Sequence, residues 1–141
     1  MTFAEVRAKF EQARDNRRKV AQLRAEAESF RLMAQGSAIR YDKDRVQTSP
    51  KDYQAEYLVK AADLERKADD HVDEGYLINT QLLKWMECCK DEERIVLQNH
   101  YINNMTYRDI EYECCDALGD RRYNTAHDIA QRGIQRIADT F

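Results

Sequence analysis

The sequence predicts an all-α protein, with a long antiparallel helical hairpin followed by a C-terminal bundle of short helices. Composition is the first reason: the 141 residues include one proline and four glycines, while 35% are charged, which is typical of long exposed helices. Periodicity is the second reason, because apolar residues recur in steps of three and four along most of the chain, the spacing of one helix face.

The first helix is predicted to run from Thr2 to about Gln35. Thr2 and Glu5 form a capping-box pattern at its start, and Gly36-Ser37 is predicted to end it. Its apolar stripe is narrow and is interrupted at Arg17, so it predicts packing against one other helix, as in a coiled coil. The stripe consists of Phe3, Val6, Phe10, Ala13, Val20, Leu23, Ala27, Phe30 and Ala34.

A loop is predicted for residues 36–49, and a second helix from Ser49-Pro50 to about Cys89. Serine can cap a helix and proline fits its first position. Gly75 is a possible kink, because glycine costs a helix about 1 kcal/mol relative to alanine. Two long helices joined by a loop predict a hairpin, with residues 1–89 as one domain and 90–141 as another. The second stripe contains Tyr53, Tyr57, Ala61, Leu64, Ala68, Val72, Tyr76, Leu82 and Trp85.

Three helices with two polar breaks are predicted between Glu92 and Ile137. The breaks fall at Asn103-Asn104 and at residues 118–120, Thr106 is predicted to cap the middle helix, and the last helix is predicted from about Asp120 to Ala138. This rhythm is typical of helix-turn-helix proteins, which present the last helix to the major groove of DNA. The residues predicted to face inward from the last two helices are Ile110, Ala126, Ile129, Ala130, Gly133, Ile134 and Ile137.

Two segments carry a family resemblance. RVQTSP, residues 45–50, resembles a signature of small phage-encoded transcriptional regulators of Gram-positive bacteria, and residues 96–110, VLQNHYINNMTYRDI, are similar to their sigma-70 region-4-like helix-turn-helix. The ArpU and RinA regulators belong to this group. Glu111 stands where these regulators usually have alanine. The resemblance implies a phage or prophage DNA-binding transcriptional regulator, one that acts on late genes.

The DNA-contact residues are predicted on the last helix and at the start of the middle helix. Arginine and asparagine can make paired hydrogen bonds to guanine and adenine, whereas contacts to phosphate position the protein. The alternative is a solvated polar helix face. The last helix offers Arg121, Arg122, Tyr123, Asn124, Thr125, His127, Asp128, Gln131 and Arg132, and those near its start are predicted to reach the bases. The predicted phosphate contacts are Tyr107, Arg108 and Arg136.

Charge is unevenly distributed along the chain, although the net charge is only -3. Residues 5–24 are basic and residues 63–74 are acidic. The basic stripe predicts either the exposed flank of a coiled coil or a contact with DNA or an acidic partner. A homodimer is expected, since the two long stripes expose more apolar surface than one hairpin covers, and its two-fold symmetry would suit a palindromic DNA site.

No enzymatic activity, cofactor or metal is expected. The sequence has no catalytic triad order and no glycine-rich phosphate loop, and Glu92-Glu93 and Asp69-Asp70 are interpreted as solvated faces. Adjacent cysteines, Cys88-Cys89 and Cys114-Cys115, point about 100° apart on a helix and lack the spacing of a zinc site. One cysteine of each pair is expected to be buried as a small apolar residue.

The sequence also leaves two other functional classes open. One is a phage inhibitor or adaptor that binds a host protein, such as RNA polymerase or a defence nuclease like a CRISPR effector. The other is a ring-forming DNA-packaging component related to small terminases. The absence of a signal peptide or an apolar run of membrane-spanning length predicts a cytoplasmic protein in the bacterial host, without a membrane partner.

Overall fold

The computed structural model describes the chain except residues 45–49, 115–117 and 119–124, and of residues 36–44 and 50–52 it describes the backbone alone. All regular secondary structure in the described ranges is helical, so the predicted all-α class is confirmed. The helices are α1 (Phe3–Asp44), α2 (Pro50–Trp85), α3 (Asp91–Leu97), α4 (Tyr107–Glu113) and α5 (Ala126–Thr140). A 3-10 turn at Met86–Cys88 follows α2, and a π-helical turn at Gln98–Ile102 follows α3.

The chain divides into two compact units, and both long helices contribute to each of them. The bundle unit contains Met1–Asn16 and Gly75–Phe141, and the hairpin unit contains Arg17–Glu74. This division does not follow the predicted boundary between residues 89 and 90. The N-terminal part of α1 and the C-terminal part of α2 share one core with the short helices. That residues 1–89 and residues 90–141 form two separate domains stays a prediction.

A deep apolar core holds the bundle unit together. Side chains from all five helices enter it, and its largest members are fully buried. Burying one such side chain is worth about 1.5–3 kcal/mol, so this core is the main source of stability in the unit. The largest fully buried side chains are Val6, Phe10, Leu82, Met86, Val96, Leu97, Ile110, Leu118, Ile129, Ile134 and Ile137.

The hairpin unit has a thin core along a single seam between antiparallel α1 and α2. Phe30 stacks on Tyr57 with ring centroids 6.1 Å apart, and the Gln54 amide donates to the Ala34 carbonyl at 3.3 Å. Most buried residues of the seam are small, so the two helices can approach closely without enclosing large side chains. The buried seam residues are Val20, Leu23, Ala27, Ala34, Ala61 and Ala68.

The first helix is longer than predicted. It continues through Gly36-Ser37 to Asp44, so the predicted loop is wrong for residues 36–44, and residues 45–49 lie outside the described residues. A single internal glycine costs about 1 kcal/mol, which the helix-favouring residues on both sides offset. The predicted start of α2 at Pro50 is confirmed, as is the Thr2–Glu5 capping box.

The apolar stripe of α2 is also displaced from the prediction. Tyr53, Val72 and Tyr76 are exposed, whereas Gly75 and Ile78 are buried. The buried positions recur at intervals of seven residues, as expected for a coiled-coil seam, and the helix continues through Gly75. The buried series on this helix is Ala61, Ala68, Gly75 and Leu82.

The last helix begins at Ala126, so the predicted start near Asp120 is wrong. Thr125 has extended backbone, and its hydroxyl accepts a hydrogen bond from the Asp128 N–H at 3.2 Å, which fixes the first turn. The predicted inward residues of this helix and Ile110 are all buried, so that prediction is confirmed. No described helix combines the length and the apolar character needed to cross a membrane.

Candidate nucleic-acid interface

The turn before α4 is fixed by backbone geometry and one histidine. Asn104 has φ 58°, a left-handed conformation that asparagine tolerates better than most residues, and this confirms the predicted break at Asn103-Asn104. The Met105 N–H donates to the Asn99 carbonyl at 2.9 Å. The His100 Nδ1 lies 2.8 Å from the Met105 carbonyl; because a carbonyl only accepts, Nδ1 carries the proton.

An aromatic stack positions the start of α4. Thr106 caps the helix as predicted, accepting from the Asp109 N–H at 3.2 Å. The Tyr107 ring lies flat on His100 with centroids 3.8 Å apart, and His127 meets Tyr107 edge-on at 5.4 Å. Burial, together with a hydrogen bond to Tyr101, raises the pKa of the Tyr107 phenol above its usual value. The stack therefore ties α4 to the π-helical turn and to α5.

A carboxylate from α4 stabilises the beginning of α5. The Glu111 side chain accepts a hydrogen bond from the Ala126 N–H at 2.8 Å. A negative charge at this end of a helix is favourable, because the free N–H groups there carry partial positive charge. Glu111 and Thr125 together fix where α5 begins and which face it presents.

A buried ion pair holds α5 against α3. The Glu93 side chain is 3% exposed, and both of its oxygens accept hydrogen bonds from Arg136, the shortest at 2.9 Å. The Lys90 N–H also donates to it at 3.0 Å. Burial alone would raise the pKa of Glu93, but the hydrogen bonds from Arg136 and Lys90 outweigh it and hold that pKa below its usual value. The interpretation of Glu93 as a solvated face is therefore wrong.

The opposite face of α5 is polar and points outward. His127, Asp128, Arg132 and Gln135 are exposed, and Gln131 is half-buried. The Gln131 amide lies 3.4 Å from the His127 Nε2. These side chains follow one another along two to three turns of a single face, so they form one continuous outward surface.

The predicted contact residues therefore fall into three groups. Arg108 on α4 and His127, Asp128, Gln131 and Arg132 on α5 contribute to outward surfaces. Three others have structural contacts: Tyr107 in the stack, Thr125 as a helix cap and Arg136 in the ion pair. The remaining four, Arg121, Arg122, Tyr123 and Asn124, lie outside the described residues.

Sequence reasoning missed the positioning roles of Glu93, Glu111 and His100. Glu93 lies three residues after Lys90, the spacing at which a carboxylate accepts from the residue preceding a helix, so local pattern could have suggested that hydrogen bond. The contacts from Glu111 to Ala126 and from His100 to Tyr107 join different elements. No local pattern in the sequence predicts them.

One cysteine of the first adjacent pair is buried, as predicted. Cys89 is buried beside the Gly133 carbonyl, with its sulfur 3.7 Å away, and Cys88 is half-buried. Burial, reinforced by Cys88 and Glu93, raises the pKa of the Cys89 thiol to about 12. Because the thiolate is the reactive form, this side chain is a poor nucleophile at neutral pH. Cys115 lies outside the described residues.

Comparisons with protein-family models, with curated proteins and with solved structures find no match to this chain.

Proposed function

We propose that this chain is a phage-encoded transcriptional regulator that binds duplex DNA through the outward face of α5. One observation carries the proposal: α5 buries one face in the bundle core and exposes a polar face, and the short capped helix α4 precedes it in the chain. Helix-turn-helix proteins use this order of helices, with the last one entering the major groove. The resemblance of residues 45–50 and 96–110 to phage regulators supports the same conclusion and favours late genes as the target.

The chemistry of the outward face suits base recognition. A glutamine such as Gln131 can donate to and accept from adenine, and an arginine such as Arg132 can donate two hydrogen bonds to guanine. Among the described residues of the outward surfaces of α4 and α5, Arg108 and Arg132 are accompanied by Asp109 and Asp128, so these charges balance. Phosphate contacts supply most non-specific affinity, so we expect weak non-specific binding and a strong dependence on base sequence.

The experiment is a selection of genomic fragments from the neighbourhood of the gene, followed by binding measurements on the recovered site. Arg132→Ala should weaken binding to that site roughly 10-fold or more, since a paired base contact is worth about 1–3 kcal/mol. Arg66→Ala is the matched control, because it removes an exposed arginine from the hairpin unit. Failure of the wild-type protein to enrich any fragment at low salt would refute the proposal.

The same regulator is proposed to act as a homodimer in the cytoplasm of the bacterial host. Two copies related by a two-fold axis would present two α5 helices to the two halves of a palindromic site. The measurement is the molar mass of the free and DNA-bound protein in solution. One copy bound to a site without two-fold symmetry would contradict this part of the proposal.

A second candidate function is binding to a host protein, such as RNA polymerase or a defence nuclease. It is favoured by large apolar side chains that are exposed on the hairpin unit, among them Leu32, Leu58 and Val59, each more than half exposed. Exposed apolar surface of this kind is common at protein interfaces. Recovery of one host protein in a pull-down that survives nuclease treatment would favour this function. Loss of that protein on nuclease treatment would favour DNA binding.

A further inference from the structure

One side of the hairpin unit carries charged residues at a regular interval. Arg17, Arg24 and Arg31 follow one another at seven-residue steps on α1. Seven residues are close to two helical turns, so the three side chains lie on one side of the helix. On α2, the residues next to the buried seam at the same interval are Leu58, Glu65 and Val72.

Members of both rows, Arg24 and Arg31 on α1 and Glu65 on α2, border one groove. The groove is lined by Arg24, Glu28, Arg31, Glu65 and Asp69, and an ion pair between Arg31 and Glu65 crosses it. We call this side of the unit the arginine–acid face, and define it by Arg17, Arg24, Arg31, Leu58, Glu65, Asp69 and Val72. It has a basic edge from α1 and an acidic edge from α2.

Some charged side chains of this face form ion pairs within the chain, and others do not. Arg31 is paired with Glu65 and lies 3.9 Å from Glu28. Arg24 and Asp69 line the same groove, yet neither forms an ion pair with another described side chain. Leu58 and Val72 are 53% and 41% exposed. The face therefore combines uncompensated charges of both signs with exposed apolar side chains.

We infer that the arginine–acid face binds a second copy of this chain, which names the surface of the homodimer proposed above and rests on that dimer. A two-fold axis in the interface and parallel to the hairpin lays α1 of each copy over α2 of the other. This operation keeps every residue at its own height along the hairpin. Because Arg24 and Asp69 border one groove, it places Arg24 of one copy opposite the acidic edge that Asp69 forms on the other.

A second copy of the chain fits this face because the face is complementary to itself. A two-fold interface requires that one patch fit a second copy of itself, and a face with one basic and one acidic edge meets this requirement electrostatically. Leu58 and Val72 would be covered by the partner at the same time. The hairpin unit, with its thin seam of small residues, would then gain a second layer of helices.

The test is a charge-swap experiment on the full chain without DNA, with molar mass measured by sedimentation. Arg24→Glu and Asp69→Arg should each weaken the homodimer at least 10-fold, because each places like charges opposite one another at both symmetric contacts. Mixing the two variants should restore a heterodimer, since both contacts then join opposite charges. Each substitution also places like charges near each other within one chain, and mixing does not change that. Recovery of a dimer on mixing therefore reports the contact between copies.

Matched controls are Arg18→Glu, six residues from Arg24 on α1, and Asp70→Arg, one residue from Asp69 on α2, which make the same charge changes outside this face. They should leave the homodimer intact. The wild-type dimer should also weaken as salt is raised, because exposed charge pairs are screened. Circular dichroism of each variant checks that the helices remain folded.

Three results would overturn the inference, and they separate it from the proposed function. A wild-type monomer at low salt would refute both the dimer and this face. A dimer that is insensitive to both swaps, or a mixture that does not recover, would refute this face alone. Loss of duplex DNA binding in an Arg24→Glu variant that remains dimeric would assign the face to DNA instead. In each case, DNA binding through α5 is measured separately with Arg132→Ala.

Discussion

The bundle unit and the hairpin unit are built partly from the same two helices, yet they bury very different side chains. In the bundle unit, α1 and α2 contribute Phe10 and Leu82, both fully buried among residues of the short helices. In the hairpin unit they contribute mainly alanine, and the core cluster there is Val20, Leu23 and Ala68, with Leu64 packed against it. Two helices alone cannot enclose large side chains, because each has one contact face and solvent on the others.

The two units are therefore suited to different roles. The bundle unit is stable by its own core and can hold the outward face of α5 in a fixed geometry. The hairpin unit has exposed apolar side chains and charged rows on its surface, which suits contact with another macromolecule. Four stability measurements test this difference between the two units, and they are given in order of decreasing effect.

The largest effect is expected from a matched pair of leucine truncations. Leu82→Ala in the bundle unit should lower the free energy of unfolding by about 3–4 kcal/mol, because it leaves a cavity in a closely packed core. Leu23→Ala in the hairpin unit should cost about 2 kcal/mol, since solvent and neighbouring side chains can fill a thin seam. Chemical denaturation measures both. Equal losses would contradict the difference between the two cores.

Removal of the arginine that pairs with Glu93 should have the next largest effect. Arg136→Ala leaves the buried carboxylate without its main partner, and we expect a loss of about 2–3 kcal/mol at neutral pH, less than for a fully buried pair because Arg136 is partly exposed. Arg66→Ala, which breaks an exposed pair in the hairpin unit, should cost less than about 0.5 kcal/mol.

The pH dependence of that pair provides a second measurement. In the wild type the pKa of Glu93 is lower in the folded state than in the unfolded state, where it is close to 4.5. Its contribution to stability is therefore complete above the unfolded pKa and is lost as the pH falls through the folded pKa. In Arg136→Ala the hydrogen bonds and charge of Arg136 are gone while the burial that raises the pKa remains, so the folded pKa of Glu93 should rise and the stability lost in acid through this group should shrink. An unchanged pH profile in the variant would contradict the assigned role of Arg136.

The smallest effects are expected at two buried helical glycines. A methyl group on Gly133 would lie 2.8 Å from the Leu97 side chain and 3.2 Å from the Glu93 Cβ, so Gly133→Ala should destabilise by about 1–2 kcal/mol despite the better helix propensity of alanine. At Gly75 the nearest atom is the Asn16 amide nitrogen at 2.6 Å, the movable end of a polar side chain. Gly75→Ala should therefore change stability by less than about 1 kcal/mol. Thermal unfolding of the two variants compares them directly, and a larger loss at Gly75 would reverse this assignment.

Local pattern predicted the helices well but predicted their ends poorly. Thr106, Pro50 and the Asn103-Asn104 break were predicted correctly because each acts within one turn of its own helix. The end near Gly36 and the start near Asp120 were wrong. A glycine can be carried inside a long helix at small cost, and the last helix begins after Thr125, which caps it.

The candidate interface also shows what a local sequence pattern can predict and what it cannot. The sequence predicted which side of α5 is buried, because the spacing of its apolar residues fixes that face. It also predicted Tyr107, Thr125 and Arg136 as contacts to DNA, and the structure places each of them in an internal contact. A polar side chain close to a helix end serves either purpose, and only its neighbours in space decide which.

Spacing along the chain and interactions within one or two turns are enough to specify the all-α class, the two long helices and the amphipathic character of α5. Three other features arise only when the chain is folded: the N-terminal part of α1 and the C-terminal part of α2 share a core with the short helices, Glu93 and Arg136 meet across 43 positions, and Glu111 fixes the start of α5. These contacts join residues distant in sequence, and the free energy of burying and pairing them depends on packing that no local pattern records.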